Sequence, residues 1–276
     1  MNELFLHKVL AERVGEHDPF MWVDRLPGRV FRSVAGRRTQ RVKLGGTVMF
    51  LKRHSGVGWL EIGKNLLSGR LPVLGAGNEF RAARALLAAG VSVPEPVGYG
   101  ERGDNPATRE SFILSIAVEP SISLEDLARA WRDKRPAAAD RWRLLAEVAD
   151  MVAAMHSTGV NHRDLYICHF LMHPDSFPAA PELTLIDLHR AQVRTSVPRR
   201  WLVKDLGALW FSAADTLPTR RDAFRFIRRY AKVSLRAELS DPTRAKFWVD
   251  VGARAQLLHK EARRKGLSDF ADPFNV

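Results

Sequence analysis

The sequence predicts an α+β chain of two lobes, an antiparallel sheet first and a mainly helical region after it. Three observations carry this. Residues 30–53 contain three strand-like runs separated by glycine turns, and an amphipathic helix over 140–157 leads into Asn161-His162-Arg163-Asp164. A short apolar run, Leu183-Thr184-Leu185-Ile186, then ends at Asp187. With 276 residues and 46% hydrophobic content the chain can bury a large core. The divisions expected are a helical segment over 1–28, a sheet lobe over 29–119 with an insertion at about 56–76, and a helical lobe over 120–276.

The rest is organised around His162-Arg163-Asp164-Leu165-Tyr166-Ile167-Cys168-His169-Phe170-Leu171. Asp164 falls in a loop after the helix, and His169, a ligand-type residue, follows five positions on. Asp187 comes where a buried strand meets solvent or ligand. One base and two metal ligands in this order resemble the phosphoryl-transfer site of a protein kinase. There H-R-D supplies the base, Asn follows five residues later, and an apolar strand ends in the metal-binding Asp of D-F-G. Here His169 replaces the Asn and Asp187-Leu188-His189 replaces D-F-G, so the likeness is divergent. The two lobes are therefore expected to form a protein-kinase-like fold.

Composition narrows the partners. The longest apolar runs, such as Phe112 to Val118 and Ala146 to Met155, fall short of the ~18 residues of a spanning helix, so a soluble protein is expected. Residues 1–10 place apolar side chains at helical spacing, with neither a basic start nor a small-residue cleavage site, and read as an amphipathic helix. One cysteine, Cys168, allows no intramolecular disulfide and no thiolate metal cluster, which suits a reducing cytoplasm. Its place beside Asp164 suggests a nucleophile; a small half-buried residue is the reading adopted, because free cysteine is usually a buried hydrophobe. The net charge is +12, and residues 190–266 hold 19 Lys and Arg against 7 Asp and Glu, while the rest of the chain carries 24 of each. So one-sided a distribution points to an anionic partner: phosphorylated glycolipid, anionic membrane, nucleic acid or acidic protein.

Each element follows in order. Residues 18–28 read as a short helix closed by Pro27-Gly28. Val30 to Val34, Arg37 to Leu44 and Thr47 to Arg53 read as strands turning at Ala35-Gly36 and Gly45-Gly46. Gly36 occupies the place of a phosphate-covering glycine flap, though one glycine is a weak signal. Lys52 ends the third strand, as does the lysine that reaches nucleotide phosphates in kinases. Glu79, in a helix from Asn78 to Gly90 with Asn as its cap, is its expected ion-pair partner; first-turn dipole complementation is the alternative. Gly58-Trp59-Leu60-Glu61-Ile62-Gly63-Lys64 fits G-x-x-x-x-G-K, but Asn65 follows and bulky side chains fill the loop, so a phosphate-binding loop is rejected in favour of an inserted helix.

Val97 to Gly100 and Ser111 to Ile116 supply two more strands. The exit through Glu119-Pro120 resembles an interlobe hinge, which makes Glu119 a candidate adenine-binding position through its backbone. Ser123 starts a helix with a capping-box pattern, and 132–140 reads as a surface loop. Beyond Asp187 the chain has neither A-P-E nor a long activation loop, which argues against switching by phosphorylation there. Asp205 stands where kinase-like folds place an Asp bracing the catalytic loop; an ordinary Asp at a helix N-terminus is the alternative. Thr219 caps a helix with Phe224, Ile227, Tyr230 and Ala231 on one face and Arg221, Arg225, Arg228, Arg229 and Lys232 on another.

Four long motifs, Asn161 to Leu171, Ile186 to Gln192, Lys204 to Leu209 and Gly58 to Leu67, closely resemble the lipopolysaccharide core heptose(I) kinase family of Gram-negative bacteria. The similarity runs from about Asp18 to the basic C-terminal helices. It implies a cytoplasmic enzyme that transfers the γ-phosphate of ATP, with Mg2+, to the first heptose of the inner core. The acceptor is then a membrane-attached core glycolipid. By matching motifs Asp164 would be the base, Asp187 a metal ligand, Lys52 the phosphate lysine and Glu79 its partner; Gly36 is placed by its turn alone, and His169 is the second candidate ligand. ATP phosphotransfer follows from the residues themselves, while the acceptor comes only from the resemblance. The basic region is expected to meet the anionic inner-membrane surface as a peripheral contact, with an acidic acyl carrier protein as another candidate partner, and no nucleic acid is expected. The competing readings are a kinase-like enzyme for another small acceptor and a catalytically inactive kinase-fold binding module, which His169 would favour because Mg2+ prefers oxygen ligands.

Overall fold

The computed structural model describes residues 3–34, 36–56, 58–67, 75–216 and 218–266, apart from the side chains of Glu61, Asn65, Leu66 and Asp215. The chain divides into two compact units. One comprises the chain up to Leu87 with Pro94–Ala117 and Leu188–Arg190; the other comprises Ala88–Val93, Val118–Asp187 and the chain from Ala191.

The first unit is built on a six-stranded antiparallel sheet in the order β1-β5-β6-β4-β3-β2. Its strands are β1 (Glu3–Leu6), β2 (Gly28–Val34), β3 (Arg37–Leu44), β4 (Thr47–Ser55), β5 (Pro96–Arg102) and β6 (Glu110–Ile116). Helices α1 (Lys8–Val14), α2 (Pro19–Asp24), α3 (Gly58–Leu67) and α4 (Gly77–Ala88) accompany it. The helix expected over residues 1–10 begins only at Lys8. Glu3–Leu6 pair instead with β5, because so short an apolar run suits either period and the edge of β5 supplies ladder partners. The phosphate-loop look-alike is helical from Gly58, which accords with its rejection; residues 68–74 of the expected insertion lie outside the described residues.

Burial on one side of the sheet gathers Leu10, Phe20, Val42, Leu51, Phe112 and Leu114, with Phe20 edge-on to Phe112 at 5.1 Å. A second cluster unites Ala76, Phe80, Tyr99 and Ile113, and Phe80 stacks on Tyr99 at 4.2 Å. Burying a Phe side chain stabilises by about 1.5–3 kcal/mol, so this stack holds α4 against β5. Asn78 does not cap α4; it lies in the first turn and accepts a hydrogen bond from Arg81 at 3.4 Å.

The second unit is helical, with two small antiparallel sheets. β7 (Ile122–Ser123), β9 (Phe170–Met172) and β10 (Leu183–Leu185) form one, and β8 (Val160–Asn161) and β11 (Gln192–Val193) the other. The helices are α5 (Leu124–Asp133), α6 (Ala138–Ser157), α7 (Arg199–Ala213), α8 (Arg220–Ala231), α9 (Leu235–Ser240) and α10 (Pro242–Arg264). Their starts are chemically marked. The Ser123 hydroxyl accepts the Asp126 N–H at 3.1 Å, Thr219 and Asp222 form a full capping box, and Asp241 accepts from Thr243 and Arg244 with Pro242 at the first helical position. The loop expected over 132–140 shrinks to 134–137 because α5 and α6 each reach farther into it. α6 buries Leu144, Val148, Ala149, Val152 and Met155. It stops at Gly159, whose φ of 80° and lack of Cβ are both required: a Cβ there would lie 1.9 Å from the Arg194 carbonyl oxygen.

Candidate active site

Lys52 stands on β4 opposite Thr39 of β3 and Ile113 of β6. Its Nζ lies 2.6 Å from Glu79 Oε1 on α4, and the two side chains are only 17% and 11% exposed. Such a pair is held from both sides, since losing either partner would leave the other charge in partly dry surroundings. Gly36 adopts φ 74° at the β2–β3 turn, and its carbonyl accepts the Ser55 N–H at 3.0 Å. That tie fastens the turn to the end of β4. Glu119 is exposed between β6 and β7.

In the helical unit the loop after α6 hangs from one carboxylate. Asp205, on α7 and wholly buried, accepts the backbone N–H of His162 at 2.7 Å and of Arg163 at 2.8 Å. Hydrogen bonds to an ionised acceptor are roughly twice as strong as neutral ones, and these hold Arg163 at φ 75°, a left-handed value unusual for a side-chain-bearing residue. His156 brings Nε2 to 3.4 Å from Asp205 and Nδ1 to 2.9 Å from the Tyr230 hydroxyl of α8. The brace expected at Asp205 is present, in mid-helix rather than at a helix N-terminus.

Two histidines join the loop to the strand that delivers Asp187. His162 Nε2 lies 3.0 Å from the Ile186 carbonyl, which can only accept, so Nε2 carries the proton and donates. Burial holds the His162 pKa below its usual value, so the ring stays neutral. The Ile186 N–H donates in turn to the His169 carbonyl at 2.9 Å. By the same logic His169 donates Nδ1–H to the Asp164 carbonyl at 2.7 Å, and its Nε2 lies 3.7 Å from Asp187 Oδ2. Asp187 itself takes φ 63°. The structure therefore brings Asp164, His169 and Asp187 into one network and pairs Lys52 with Glu79. Cys168 has its thiol pushed up to about 11, by burial first and then by Glu125, so it stays protonated and is no nucleophile at neutral pH.

Sequence reasoning assigned no part to His162, His156 or Tyr230. His162 lay in view inside H-R-D, but its bond to Ile186 spans 24 positions; Tyr230 looked like one more apolar-face residue of α8.

With the thiol silent, these groups can align phosphates through a lysine, hold a divalent cation through a carboxylate and an imidazole, and take a proton from an alcohol. That is the chemistry of kinase-like phosphotransferases, the class that the sheet unit and the braced loop define. The family described as lipopolysaccharide kinase (Kdo/WaaP) matches residues 22–230, and the chain belongs to it. It is 46% identical over 251 residues to the lipopolysaccharide core heptose(I) kinase WaaP of Pseudomonas aeruginosa, covering 90% of this chain and 93% of that one. Against the Escherichia coli K12 protein of the same name it is 45% identical over 252 residues, or 91% and 94% of the two chains. A solved structure of WaaP in complex with acyl carrier protein superposes with a TM-score of 0.81 at 40% identity, covering 93% of this chain and 99% of that one.

Proposed function

We propose that the chain is an ATP-dependent kinase that phosphorylates the first heptose of the lipopolysaccharide core. The observation that carries this is the 45–46% identity to heptose(I) kinases over about nine-tenths of the chain. In this reading Asp164 orients the heptose hydroxyl and takes its proton. The hydroxyl oxygen forms a bond to the γ-phosphorus, the bond from that phosphorus to the bridging oxygen breaks, and ADP leaves. Lys52, steadied by Glu79, aligns the phosphates; the Gly36 turn covers them, and the backbone at Glu119 meets the adenine. Asp187 and His169 would hold Mg2+. The donor set fits a divalent cation, because a carboxylate and the Nε2 of an imidazole face one another and phosphate and water oxygens can fill the other positions. When bound, the cation neutralises charge on the phosphates.

The solved relative is in complex with an acyl carrier protein, and we extend that partner to this chain. An apolar cavity of about 270 Å3 in the helical unit, lined by Leu127, Leu145, Leu209, Trp210, Phe226 and Trp248 among others, suits an acyl chain. α8 lines that cavity through Phe226 and turns the exposed Arg221 and Arg228 outward, a fit for an acidic carrier. We place the enzyme in the cytoplasm at the inner face of the inner membrane, because its acceptor is lipid-anchored and the C-terminal region is strongly basic.

The test is transfer of phosphate from ATP to purified core glycolipid that lacks heptose phosphate. The parent chain should phosphorylate the heptose, and Asp164→Asn should lower kcat by at least about 100-fold while sparing ATP affinity. A parent that binds ATP without modifying this glycolipid would refute the reading, and a fully active Asp164→Asn variant would remove Asp164 from the base role.

A further inference from the structure

Four cationic side chains of the helical unit converge on one indole. The Arg163, Arg194 and Arg200 guanidinium carbons lie 5.2, 5.7 and 5.4 Å from the Trp201 ring centre, and Lys204 Nζ lies 4.6 Å from it. Any two of these charges are then within about 11 Å, the two longest distances laid end to end, a span comparable to the ~8 Å screening length at physiological salt. They repel one another. The repulsion registers on Lys204, whose pKa is lowered by burial first and then by Arg254, Arg163 and Arg200.

The cluster is built rather than scattered. Arg194 is aimed by two neutral acceptors, the side-chain oxygens of Asn161 and Gln192, which orient a guanidinium without cancelling its charge. Gly207 makes room for Arg254 of α10, since a Cβ there would meet the Arg254 stem at 2.6 and 2.8 Å, and the Arg254 charge acts on Lys204. Arg163 is fixed through its backbone by Asp205 and immediately precedes Asp164. By contrast Arg199, in the same first turn of α7, is paired with Asp250 at 2.7 Å and takes no part.

Arg194, Arg200 and Lys204 are like charges crowded around an aromatic face, with Arg194 aimed there by neutral hydrogen bonds, and an incoming anion relieves such an arrangement. We infer that Arg163, Arg194, Arg200 and Lys204 around Trp201 form a subsite for an acidic group, carboxylate or phosphate, carried by the acceptor glycan beside the hydroxyl that Asp164 serves. The cations fix the acidic substituent of the sugar, so the subsite sets which sugar can present its hydroxyl. The assignment rests on the reading of the chain as a kinase of a lipopolysaccharide sugar.

The decisive experiment titrates a lipid-free, acidic core oligosaccharide into the full chain and into the double variant Arg200→Gln/Lys204→Gln, two exposed positions, with ATP affinity as the check on folding. Without lipid, attraction to a membrane cannot contribute. The variant should bind the sugar at least about tenfold more weakly, with ATP affinity as in the parent. The difference between parent and variant should vanish for an oligosaccharide whose carboxylates are reduced, if the recognised group is a carboxylate, or for a dephosphorylated one, if it is a phosphate. Parent-like binding by the variant, a loss that persists with both groups removed, or failure of the parent to bind overturns the subsite. Transfer to heptose reports separately: a parent that binds through these residues without phosphorylating refutes the kinase reading alone, and a parent that phosphorylates while the variant keeps its KM for the acceptor refutes the subsite alone.

Discussion

The hydrogen bond from His169 Nδ1 to the Asp164 carbonyl fixes the ring so that Nε2 is the nitrogen turned toward Asp187. Asp187→Ala should therefore abolish metal-dependent nucleotide binding. His169→Asn should retain activity with Mg2+ while losing any preference for Mn2+, the ion more tolerant of imidazole. Unchanged metal dependence in both variants, measured by titrating either ion against turnover, would put the cation elsewhere. A second histidine reports on pH. His54, buried on β4, has its pKa lowered to about 3, by burial first and then by Arg37 and Lys52. Its folded pKa lies below the unfolded value near 6.5, so between the two the unfolded chain binds more protons and stability falls as pH drops. Each pH unit in that window costs about 1.4 kcal/mol per histidine held neutral. His54→Leu should flatten the acid limb of stability, followed by urea unfolding at pH 4 to 7; an unaltered slope would mean that other groups dominate it.

At the scale of elements, α7 braces the loop after α6 through Asp205, and Ser212 of the same helix accepts the Ile167 N–H at 3.0 Å. Asp205 receives two backbone N–H groups and faces a histidine, which is in turn met by Tyr230 of α8. Asp205→Asn keeps one acceptor oxygen but turns an amide NH2 toward a donor, leaving a buried group unsatisfied at a cost of about 1–3 kcal/mol. The expected result is a lower Tm together with at least about a tenfold fall in kcat, because Arg163 and Asp164 lose their anchor. A folded variant with parental kcat would show that the loop stands without the brace. Tyr230→Phe removes only the outer hydroxyl and should cost about 1 kcal/mol of stability. The basic face of α8 also differs from its expected form. Arg225 lies 3.3 Å over the Trp142 ring and Arg229 pairs with Asp150 at 2.7 Å, so both are fastened to α6. Arg221, Arg228 and Lys232 are exposed on that face, as is Arg229 despite its pairing with Asp150.

For the molecule as a whole, the +12 charge belongs to residues 190–266, and its effect on partners should depend on salt. Reversing Arg221 and Arg228 to Glu should weaken binding of an acidic acyl carrier protein by at least about tenfold at low ionic strength, with the difference shrinking as salt rises and ATP affinity spared. Binding equal to the parent's at low salt would make the face merely solvated. No helix among the described residues is long and apolar enough to cross a membrane. By itself the sequence determined the order of the chemistry: sheet before helices, Lys52 before Glu79, H-R-D before Asp187, and the bracing position of Asp205. Periodicity and long motifs are local signals, and each of these rests on them. Tertiary structure alone decided that Glu3–Leu6 would be an edge strand, that His162 would donate to Ile186, that Arg225 and Arg229 would be spent on α6, and that four cations would share Trp201. In each case the deciding partner lies on another element, as with Arg229 and Asp150, 79 positions apart. A pattern of apolar and charged residues states which face of an element seeks a partner, and only packing settles which partner is within reach.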